Sequence, residues 1–237
     1  MTEQHHLESS YNLKNYNNWL WRTIKDYIGE DILEVGSGLG AMTEFMKYKR
    51  RLVGIDINQE YIGNLKTRFP RFSFIHGDFS DTNQSFTANM DTVLMTNVLE
   101  HIKDNVSAIQ NAYSVLRLNG KFIIIAPAHP RLYGVIDKND NHYRRYSKND
   151  LLTKLVNAGF FIEVVNHFNM LGFFGWWFKG KVLKISVNSS SVFSERLFDK
   201  IVPVYSIFED NFTFPLFGLS LFVVARKPCP YCENTTE

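Results

Sequence analysis

Short apolar runs alternate with longer amphipathic segments along most of the chain. The runs have the length and the apolar content of buried strands, whereas the segments between them repeat apolar residues every three or four positions, as helices do. Strands that alternate with helices favour an α/β fold with a mainly parallel sheet. Seven strands are predicted, at residues 31–35, 51–55, 72–75, 91–96, 121–126, 161–165 and 219–225, and the final two could pair antiparallel.

The helices are predicted from the same periodicity. A leading amphipathic helix covers residues 11–28, and a second helix is expected directly after the glycines at 36–40, with Met42, Phe45 and Met46 on one face. Further helices are expected at 59–69, around 106–116 and after Ser147, whose side chain suits an N-cap with Asp150 three positions on. The helix around 106–116 is expected to end at Asn119-Gly120.

Two stretches depart from this alternation. Residues 128–146 lose periodicity, and a loop of this length inside a compact domain is usually functional or mobile. Residues 170–215 are rich in aromatic side chains, lack strand alternation and are expected to form a helical cap inserted before the last strand. We therefore predict one domain over residues 1–227, followed by a polar tail at 228–237.

Composition narrows the possible functions. The chain has 237 residues, of which 45% are hydrophobic and 21% charged, a balance that predicts a folded domain. Its formal net charge of +2 is too small to indicate a nucleic-acid partner. No signal-like apolar segment follows Met1 and no apolar run reaches membrane-spanning length, so a soluble cytoplasmic protein is expected.

The two cysteines, Cys229 and Cys232, form a CPYC motif near the end of the chain. A redox role would require the first thiol at a helix N-terminus, beside a core. Here the motif lies in a polar tail, which favours an incidental role over half of a metal site or a labile disulfide.

The segment EVGSGLG, residues 34–40, carries the main chemical signal. Gly36, Gly38 and Ala41 fit the glycine fingerprint of dinucleotide sites, and Asp56 lies 20 residues after the first glycine. An NAD(P)-dependent oxidoreductase is therefore one open interpretation.

Glu34 argues against a dinucleotide. A carboxylate at the end of the first strand would repel a pyrophosphate at the glycine turn, and a buried carboxylate needs a cation or hydrogen-bond donors. S-adenosylmethionine has no phosphate, carries a sulfonium and an ammonium group, and has two ribose hydroxyls. Asp56 is placed to accept both hydroxyls, so this cofactor is favoured.

Two later strand ends extend this prediction. Asp78 offers a carboxylate to the adenine amine and Phe79 an aromatic or backbone neighbour for the ring, while Asn97-Val98 could present a carbonyl to the α-ammonium. Open α/β sheets bind ligands at the carboxyl ends of their strands, where all of these residues fall. Taken singly, Asp78 could equally be a turn residue and Asn97 a helix cap.

The motifs EVGSGLG, VGIDIN, HGDF and TNVLEHIKD, in this order and spacing, resemble those of class I S-adenosylmethionine-dependent methyltransferases, in particular the group whose fourth strand exits into LEHI. The resemblance covers residues 31–120 well. It implies a seven-stranded Rossmann-like sheet whose last strand is antiparallel. It also implies cofactor contacts from Glu34, Gly36, Ser37, Gly38, Asp56, Ile57, Asp78, Phe79, Asn97 and Val98.

Candidate acceptor residues lie farther along the chain. His101 and His142 are candidate general bases, with the alternative that His101 orients its loop. Tyr133, Tyr143, Arg144 and Trp176 are candidate acceptor contacts. Arg144 or Arg145 would suit an anionic acceptor, or an arginine could pin the loop to a carboxylate such as Asp137.

The sequence thus predicts methyl transfer from S-adenosylmethionine to a small molecule, with O- or N-methylation favoured over C-methylation. A non-catalytic cofactor-binding module on the same fold remains an alternative beside the oxidoreductase. No metal site is predicted. The basic and aromatic residues at 173–184 leave peripheral membrane contact open, although core packing of the cap is favoured.

Overall fold

Seven strands form one sheet in the computed structural model, which describes residues 11–81, 86, 88–177, 191–211 and 217–229. The strand order is β3-β2-β1-β4-β5-β7-β6. The strands are β1 (Asp31–Val35), β2 (Arg51–Asp56), β3 (Ser73–His76), β4 (Met90–Thr96), β5 (Leu116–Pro127), β6 (Phe161–Phe168) and β7 (Ser220–Arg226). Strand β7 runs antiparallel to both of its neighbours, β5 and β6, which confirms the predicted Rossmann-like sheet.

Helices cover both faces of this sheet. They are α1 (Lys14–Ile24), α2 (Gln59–Arg68), α3 (Asn105–Val115), α4 (Val135–Asn139), α5 (Lys148–Asn157), α6 (Met170–Trp177) and α7 (Ser191–Asn211). Helix α5 begins as predicted, because the Ser147 hydroxyl accepts a hydrogen bond from the Asp150 amide. Among the helices in the described parts of the chain, none is long and apolar enough to cross a bilayer.

The core consists of two apolar layers, one on each face of the sheet. Alternate strand residues point to opposite faces, so Leu33 belongs to one layer and its neighbour Ile32 to the other. Helices α3 and α5 cover the first layer, and α1, α2 and α7 cover the second. The sheet is thereby buried on both faces and holds its strand ends in fixed positions.

Two predicted helix boundaries are wrong. No α-helix directly follows the glycine turn in the described chain, which instead makes turns and one 3-10 segment, Thr43–Met46. Helix α3 ends at Val115 and the chain passes at once into β5, so Asn119 and Gly120 lie within that long strand. After the glycine turn, Met42 and Met46 are buried without an α-helix, because tertiary packing satisfies them equally well.

The insert before β7 is helical where the structure describes it, as predicted, and α7 packs on the leading helix α1. Polar contacts fix this packing. The Asp199 carboxylate accepts a hydrogen bond from the Tyr16 amide at 2.9 Å, and the Asp210 carboxylate accepts one from the Trp19 indole at 3.0 Å. The insert and the N-terminal segment therefore form one layer next to the sheet.

Candidate cofactor and acceptor site

The strand order reverses direction between β1 and β4. The chain connections after β1 and β4 lead toward opposite sides of this point, so a crevice opens outside the carboxyl ends of the two strands. Open α/β sheets usually bind their ligands in such a crevice. Residues 36–41 follow β1 at this crevice, and residues 97–101 follow β4. The predicted cofactor residues are therefore brought together at one edge.

The turn after β1 needs glycine for two reasons. Gly36, Gly38 and Gly40 have φ angles of 70°, 50° and 81°, in the left-handed region that other residues avoid. A Cβ atom on Gly36 would also lie 2.4 Å from Cγ2 of Val98. The turn therefore packs directly against the segment after β4.

The amide groups of this turn are largely used within the protein. The amides of Gly36 and Ser37 both donate to the Ile55 carbonyl, at 2.7 and 3.2 Å, and the Gly40 amide donates to the Ser37 carbonyl at 2.8 Å. The Gly38 amide donates to Oδ2 of Asp56 at 2.8 Å. No α-helix begins here within the described residues, so the turn lacks the helix N-terminus that binds a pyrophosphate, and four of its amides already have partners.

Glu34 and Asp56 place two acidic side chains beside this turn. Glu34 is 3% exposed, and its Oε2 accepts a hydrogen bond from the Thr43 hydroxyl at 2.5 Å. Burial raises the pKa of Glu34 to about 7, and the neighbouring Asp56 carboxylate acts in the same direction. A cationic ligand would lower the cost of ionising Glu34 here.

Of the three residues predicted on the adenine side of the site, two have exposed side chains and one has a buried side chain. Ile57 is 68% exposed directly after Asp56, an unusual position for a large apolar side chain. Asp78 is exposed and accepts hydrogen bonds from the Ser80 amide and hydroxyl. Phe79 is buried in the core, so its ring is not at the crevice and only its backbone remains available to a ligand there.

Asn97 lies at the exit of β4 with a φ angle of 53°, and its amide donates to the Ile125 carbonyl. Tyr16 of α1 reaches this point. Burial raises the pKa of the Tyr16 hydroxyl, although hydrogen bonds with the Asn97 and Asn169 side chains oppose that rise. The leading helix, predicted only from its amphipathic pattern, therefore extends to the edge of the crevice.

The loop at residues 128–146 is attached to the segment after β4. The Tyr143 amide donates to the Glu100 carbonyl at 2.9 Å, and the Tyr146 hydroxyl donates to the Leu99 carbonyl at 3.0 Å. Arg144 donates from its guanidinium to the Lys103 carbonyl at 2.7 Å. The loop, predicted to be irregular, contains α4 and the 3-10 segment Pro130–Leu132.

A buried ion pair organises the same loop. Arg145 donates from Nε to Oδ1 of Asp137 at 2.6 Å, and both side chains are buried. This is the arginine–carboxylate pinning weighed from the sequence; Arg145 is therefore engaged internally. Nδ1 of His142 lies 3.1 Å from the same Asp137 oxygen, and the Tyr133 hydroxyl donates to the His142 carbonyl at 2.8 Å.

Although burial alone would raise it, the pKa of Asp137 is below its usual range because of the His142 hydrogen bond and the Arg145 charge. An ionised carboxylate can only accept a hydrogen bond, so Nδ1 of His142 carries the proton. Nε2 of His142 is left to accept a proton or bind a ligand.

His101 and His142 meet edge to face, with ring centroids 4.6 Å apart. Burial and the neighbouring His142 lower the pKa of His101 to about 4, so this imidazole is neutral at pH 7. Glu100 lies close to both histidines, with one ligand atom of each of the three residues within 4.8 Å of the other two. The sequence did not indicate a role for Glu100, although it belongs to the LEHI motif. The sequence suggested Asp137 only as a carboxylate that could pair with an arginine of the same loop.

The remaining predicted acceptor contacts are more scattered. Tyr143 is 54% exposed, and its ring lies under the Arg144 guanidinium. Phe173 of α6 packs against His129 and Phe217, which agrees with a packing role for part of the insert. The Trp176 side chain lies outside the described residues. Of the two cysteines of the CPYC motif, Cys229 is buried and Cys232 lies outside the described residues.

The sequence is similar to those of known methyltransferases. Residues 33–124 match a family model described as a methyltransferase domain. A probable S-adenosylmethionine-dependent methyltransferase of Mycolicibacterium smegmatis is 28% identical over 138 residues, which are 57% of this chain and 53% of that protein. A demethylmenaquinone methyltransferase of Tropheryma whipplei is 29% identical over 111 residues, 44% of this chain and 45% of that protein. The chain thus spans about half the length of these relatives.

Solved structures give the same fold. A SAM-dependent methyltransferase from Archaeoglobus fulgidus superposes with a TM-score of 0.61 at 18% identity, covering 91% of this chain and 95% of that one. The N-methyltransferase NodS from Bradyrhizobium japonicum, in complex with S-adenosyl-L-homocysteine, gives a TM-score of 0.58 at 15% identity, covering 92% and 88%. The matched segment and the sheet order agree: residues 33–124 match a methyltransferase domain, and the seven-stranded sheet has the fold of these solved methyltransferases.

Proposed function

We propose that this protein transfers the methyl group of S-adenosylmethionine to an oxygen or nitrogen atom of a small-molecule acceptor. One observation carries the proposal. The buried acids Glu34 and Asp56 flank a glycine turn whose amides at Gly36, Ser37 and Gly38 are already hydrogen-bonded within the protein. Such a site favours a cationic, phosphate-free ligand with ribose hydroxyls.

The same observation disfavours the dinucleotide alternative. A pyrophosphate would need amide donors and a helix N-terminus. At this turn it would instead face the carboxylates of Glu34 and Asp56. Each Asp56 oxygen already accepts one hydrogen bond, from Gly38 or from the Asn58 amide, and each retains a lone pair for a ribose hydroxyl. We assign ribose binding to Asp56 on this basis.

The other cofactor contacts are assigned by position along the edge. Glu34 would face the cationic methionine portion, with Gly36, Ser37 and Gly38 allowing the ligand close to the backbone. Exposed Ile57 would cover one face of the adenine, and Asp78 with the Phe79 backbone would lie at its rim. Asn97 and Val98 would contact the methionine portion from the β4 side.

In the reaction, a lone pair of the acceptor atom forms a bond to the methyl carbon while the carbon–sulfur bond breaks and its electron pair remains on sulfur. An oxygen or nitrogen acceptor that carries a proton must also lose it. His101 and His142 lie at the rim where the loop at 128–146 meets the segment after β4. Nε2 of His142 is the better placed to accept this proton, because the lowered pKa of His101 makes it the weaker base.

A small acceptor is supported by the enclosing elements. The loop at 128–146 is held against the β4 exit by the contacts of Tyr143 and Tyr146, which restricts the space beside the crevice. Tyr143, with Arg144 beside it, offers an aromatic and a cationic contact, and Tyr133 lies behind His142. The demethylmenaquinone methyltransferase among the relatives has a small-molecule acceptor by its name.

Equilibrium binding tests the cofactor part of the proposal. Isothermal titration of the purified protein with S-adenosylmethionine, S-adenosylhomocysteine and NADH should show saturable binding of the first two only. Binding of NADH without S-adenosylmethionine would overturn the proposal in favour of an oxidoreductase.

Transfer of labelled methyl groups tests the catalytic part. A panel of phenols, quinols, amines and carboxylates, supplied with methyl-labelled cofactor, should yield a labelled product with at least one class. Tight cofactor binding with no transfer to any class would favour a non-catalytic module. Labelling at carbon only would contradict the assignment to oxygen or nitrogen.

A further inference from the structure

Three potential metal ligands come together where the loop at 128–146 meets the β4 exit. Glu100 and His101 belong to the 3-10 segment Leu99–His101, and His142 belongs to the loop. One ligand atom from each lies within 4.8 Å of the other two. The hydrogen bond from the Tyr143 amide to the Glu100 carbonyl holds the loop in this register, so the cluster is fixed by the backbone.

Glu100 supplies a carboxylate that the described protein does not satisfy. The residue is 1% exposed, and its Oε2 has no hydrogen-bond partner among the described residues. A buried carboxylate oxygen without a partner is costly unless a cation binds it.

His142 is already oriented as a metal ligand would be. Its Nδ1–H donates to Oδ1 of Asp137, and Asp137 is itself fixed by the Arg145 guanidinium and by the Gly134 amide at 2.9 Å. Histidines that bind metals usually donate their second ring nitrogen to a carboxylate in this way. Nε2 of His142 remains for the metal.

His101 completes the set by geometry. It belongs to the same 3-10 segment as Glu100, and its ring meets the His142 ring edge to face, with ring centroids 4.6 Å apart. A neutral imidazole nitrogen has a lone pair to donate to a metal ion.

We propose that Glu100, His101 and His142 bind a divalent transition-metal ion, with zinc as the best fit, and that Asp137 positions His142. Two imidazole nitrogens and one carboxylate oxygen are the ligands of many catalytic zinc sites. Three protein ligands leave one coordination position open. The sequence suggested no such site, because Glu100-His101 and His142 are about 40 residues apart and only the fold brings them together.

The open position gives the site a role in the proposed methyl transfer, and this step depends on that proposed function. A hydroxyl group bound to the metal would lose its proton near neutral pH, because the cation stabilises the oxyanion. The proton would pass to solvent, and the oxyanion would attack the methyl carbon as described above. The preferred acceptor class is therefore a small molecule with an ionisable hydroxyl group.

Cobalt binding tests the site without any need for an acceptor. Protein freed of metal with a chelator is titrated with Co²⁺, and visible d–d absorption reports ligation by nitrogen and oxygen. Titrations use the Cys229→Ser/Cys232→Ser background, so the CPYC motif cannot contribute. We expect one Co²⁺ per chain, displaced by Zn²⁺.

Substitutions then assign the ligands. Glu100→Gln, His101→Ala and His142→Asn should each weaken Co²⁺ binding by about tenfold or more, and Asp137→Asn by about 10- to 100-fold. His167→Ala is the matched control, since His167 forms another histidine pair, stacked on His129 at 5.2 Å between ring centroids. It should bind Co²⁺ as the parent does.

Far-UV circular dichroism and S-adenosylmethionine affinity monitor folding independently in each variant. Absence of Co²⁺ uptake by protein that binds S-adenosylmethionine would overturn the metal proposal and leave the proposed function intact. Uptake that survives unchanged in folded Glu100→Gln, His101→Ala and His142→Asn would overturn it as well. Loss of cofactor binding with Co²⁺ uptake retained would instead count against the methyltransferase proposal.

Discussion

The Gly38 amide donates a 2.8 Å hydrogen bond to Oδ2 of Asp56, which joins the turn after β1 to the end of β2. Oδ1 of the same carboxylate accepts from the Asn58 amide at 2.8 Å. Two backbone donors thus fix the side chain before any ligand arrives. A carboxylate held in this way can bind two vicinal hydroxyls at little entropic cost.

Replacing Asp56 with alanine should therefore weaken S-adenosylmethionine binding. Loss of two hydrogen bonds between charged and neutral groups corresponds to about 2–4 kcal/mol, or roughly 30- to 1,000-fold in the dissociation constant. Isothermal titration measures the change directly. Asp31→Ala is the matched control, because Asp31 begins β1 at the opposite edge of the sheet and pairs with Arg50.

Unchanged affinity in Asp56→Ala would refute the ribose assignment. Equal losses in Asp56→Ala and Asp31→Ala would indicate a general effect on the fold. Asp56→Asn separates charge from geometry, because asparagine retains one acceptor oxygen and should give an intermediate affinity.

The glycine at position 36 should not tolerate a side chain. Alanine there would have to adopt a φ angle of 70° and place its Cβ 2.4 Å from Cγ2 of Val98. We expect Gly36→Ala to lose at least about 1–3 kcal/mol of unfolding free energy, together with most cofactor affinity. Urea unfolding and titration with S-adenosylmethionine measure the two effects.

A second substitution separates the two causes of the Gly36→Ala defect. Val98→Ala removes the clash and leaves the φ strain, so the double variant should recover part of the lost stability. No recovery would mean that backbone strain alone is responsible. Gly63→Ala is the control, since a Cβ at Gly63 in α2 contacts nothing within 4 Å.

Local pattern was sufficient to predict the sheet and to place the candidate cofactor residues at its strand ends. All strands were located to within a few residues, except that β5 begins at Leu116, five residues before the predicted start. Strand ends carry their own signal, because an acid or asparagine after an apolar run stands out, as at Asp56 and Asn97. Position along the chain then implies position along the edge.

Relations between distant segments could not be predicted in this way. Nothing in the sequence indicates that His142 lies beside Glu100, because the contact depends on how one loop folds back over the β4 exit. Phe79 was expected near the adenine, as an aromatic or backbone neighbour, because it follows the third strand; its ring is instead buried in the core. The residues at 42–46 likewise have helical spacing without a continuous helix, since tertiary contacts bury Met42 and Met46 in any case.

The Arg145–Asp137 pair should be important for folding. Both side chains are buried, so removing one partner leaves an unpaired buried charge. We expect Arg145→Met to lower the unfolding free energy by about 3–5 kcal/mol. Arg144→Met is a control of the same residue type one position away. It should cost about 1 kcal/mol, because Arg144 lies beside solvent and pairs with no carboxylate among the described residues; it donates to the Lys103 carbonyl and lies over the Tyr143 ring.

Equal destabilisation by the two arginine substitutions, measured by urea unfolding, would contradict a special role for the buried pair. The double variant Arg145→Met/Asp137→Leu provides a further check. Because it leaves no unpaired charge, it should be more stable than Arg145→Met alone.

Glu34 should make stability depend on pH in an unusual direction. Most native carboxylates have lowered pKa values and stabilise the fold as pH rises, but burial raises the pKa of Glu34 to about 7 from the usual 4.5. The folded protein then binds more protons than the unfolded chain between these values. Below about pH 4.5 Glu34 therefore makes its full contribution to the free energy of unfolding. That contribution, about 3 kcal/mol, is lost as pH rises from there to about 7.

Glu34→Gln should remove this dependence, because glutamine keeps an acceptor for the Thr43 hydroxyl and carries no charge. At about pH 8 the variant should be more stable than the wild type, and at about pH 5 the two should be similar. In protein freed of metal, burial also raises the pKa of Glu100 to about 7, so Glu100→Gln should remove a comparable share and the double variant most of the effect. Urea unfolding across this pH range measures the stability of all four proteins. A wild-type curve that rises toward pH 8 in parallel with that of Glu34→Gln would show that Glu34 titrates at its ordinary pKa.

The affinity for S-adenosylmethionine should depend on pH in the opposite direction, because the ionised Glu34 carboxylate attracts the cationic cofactor. Wild-type binding should tighten as pH rises through about 7. Glu34→Gln should bind the cofactor more weakly and should not show that tightening.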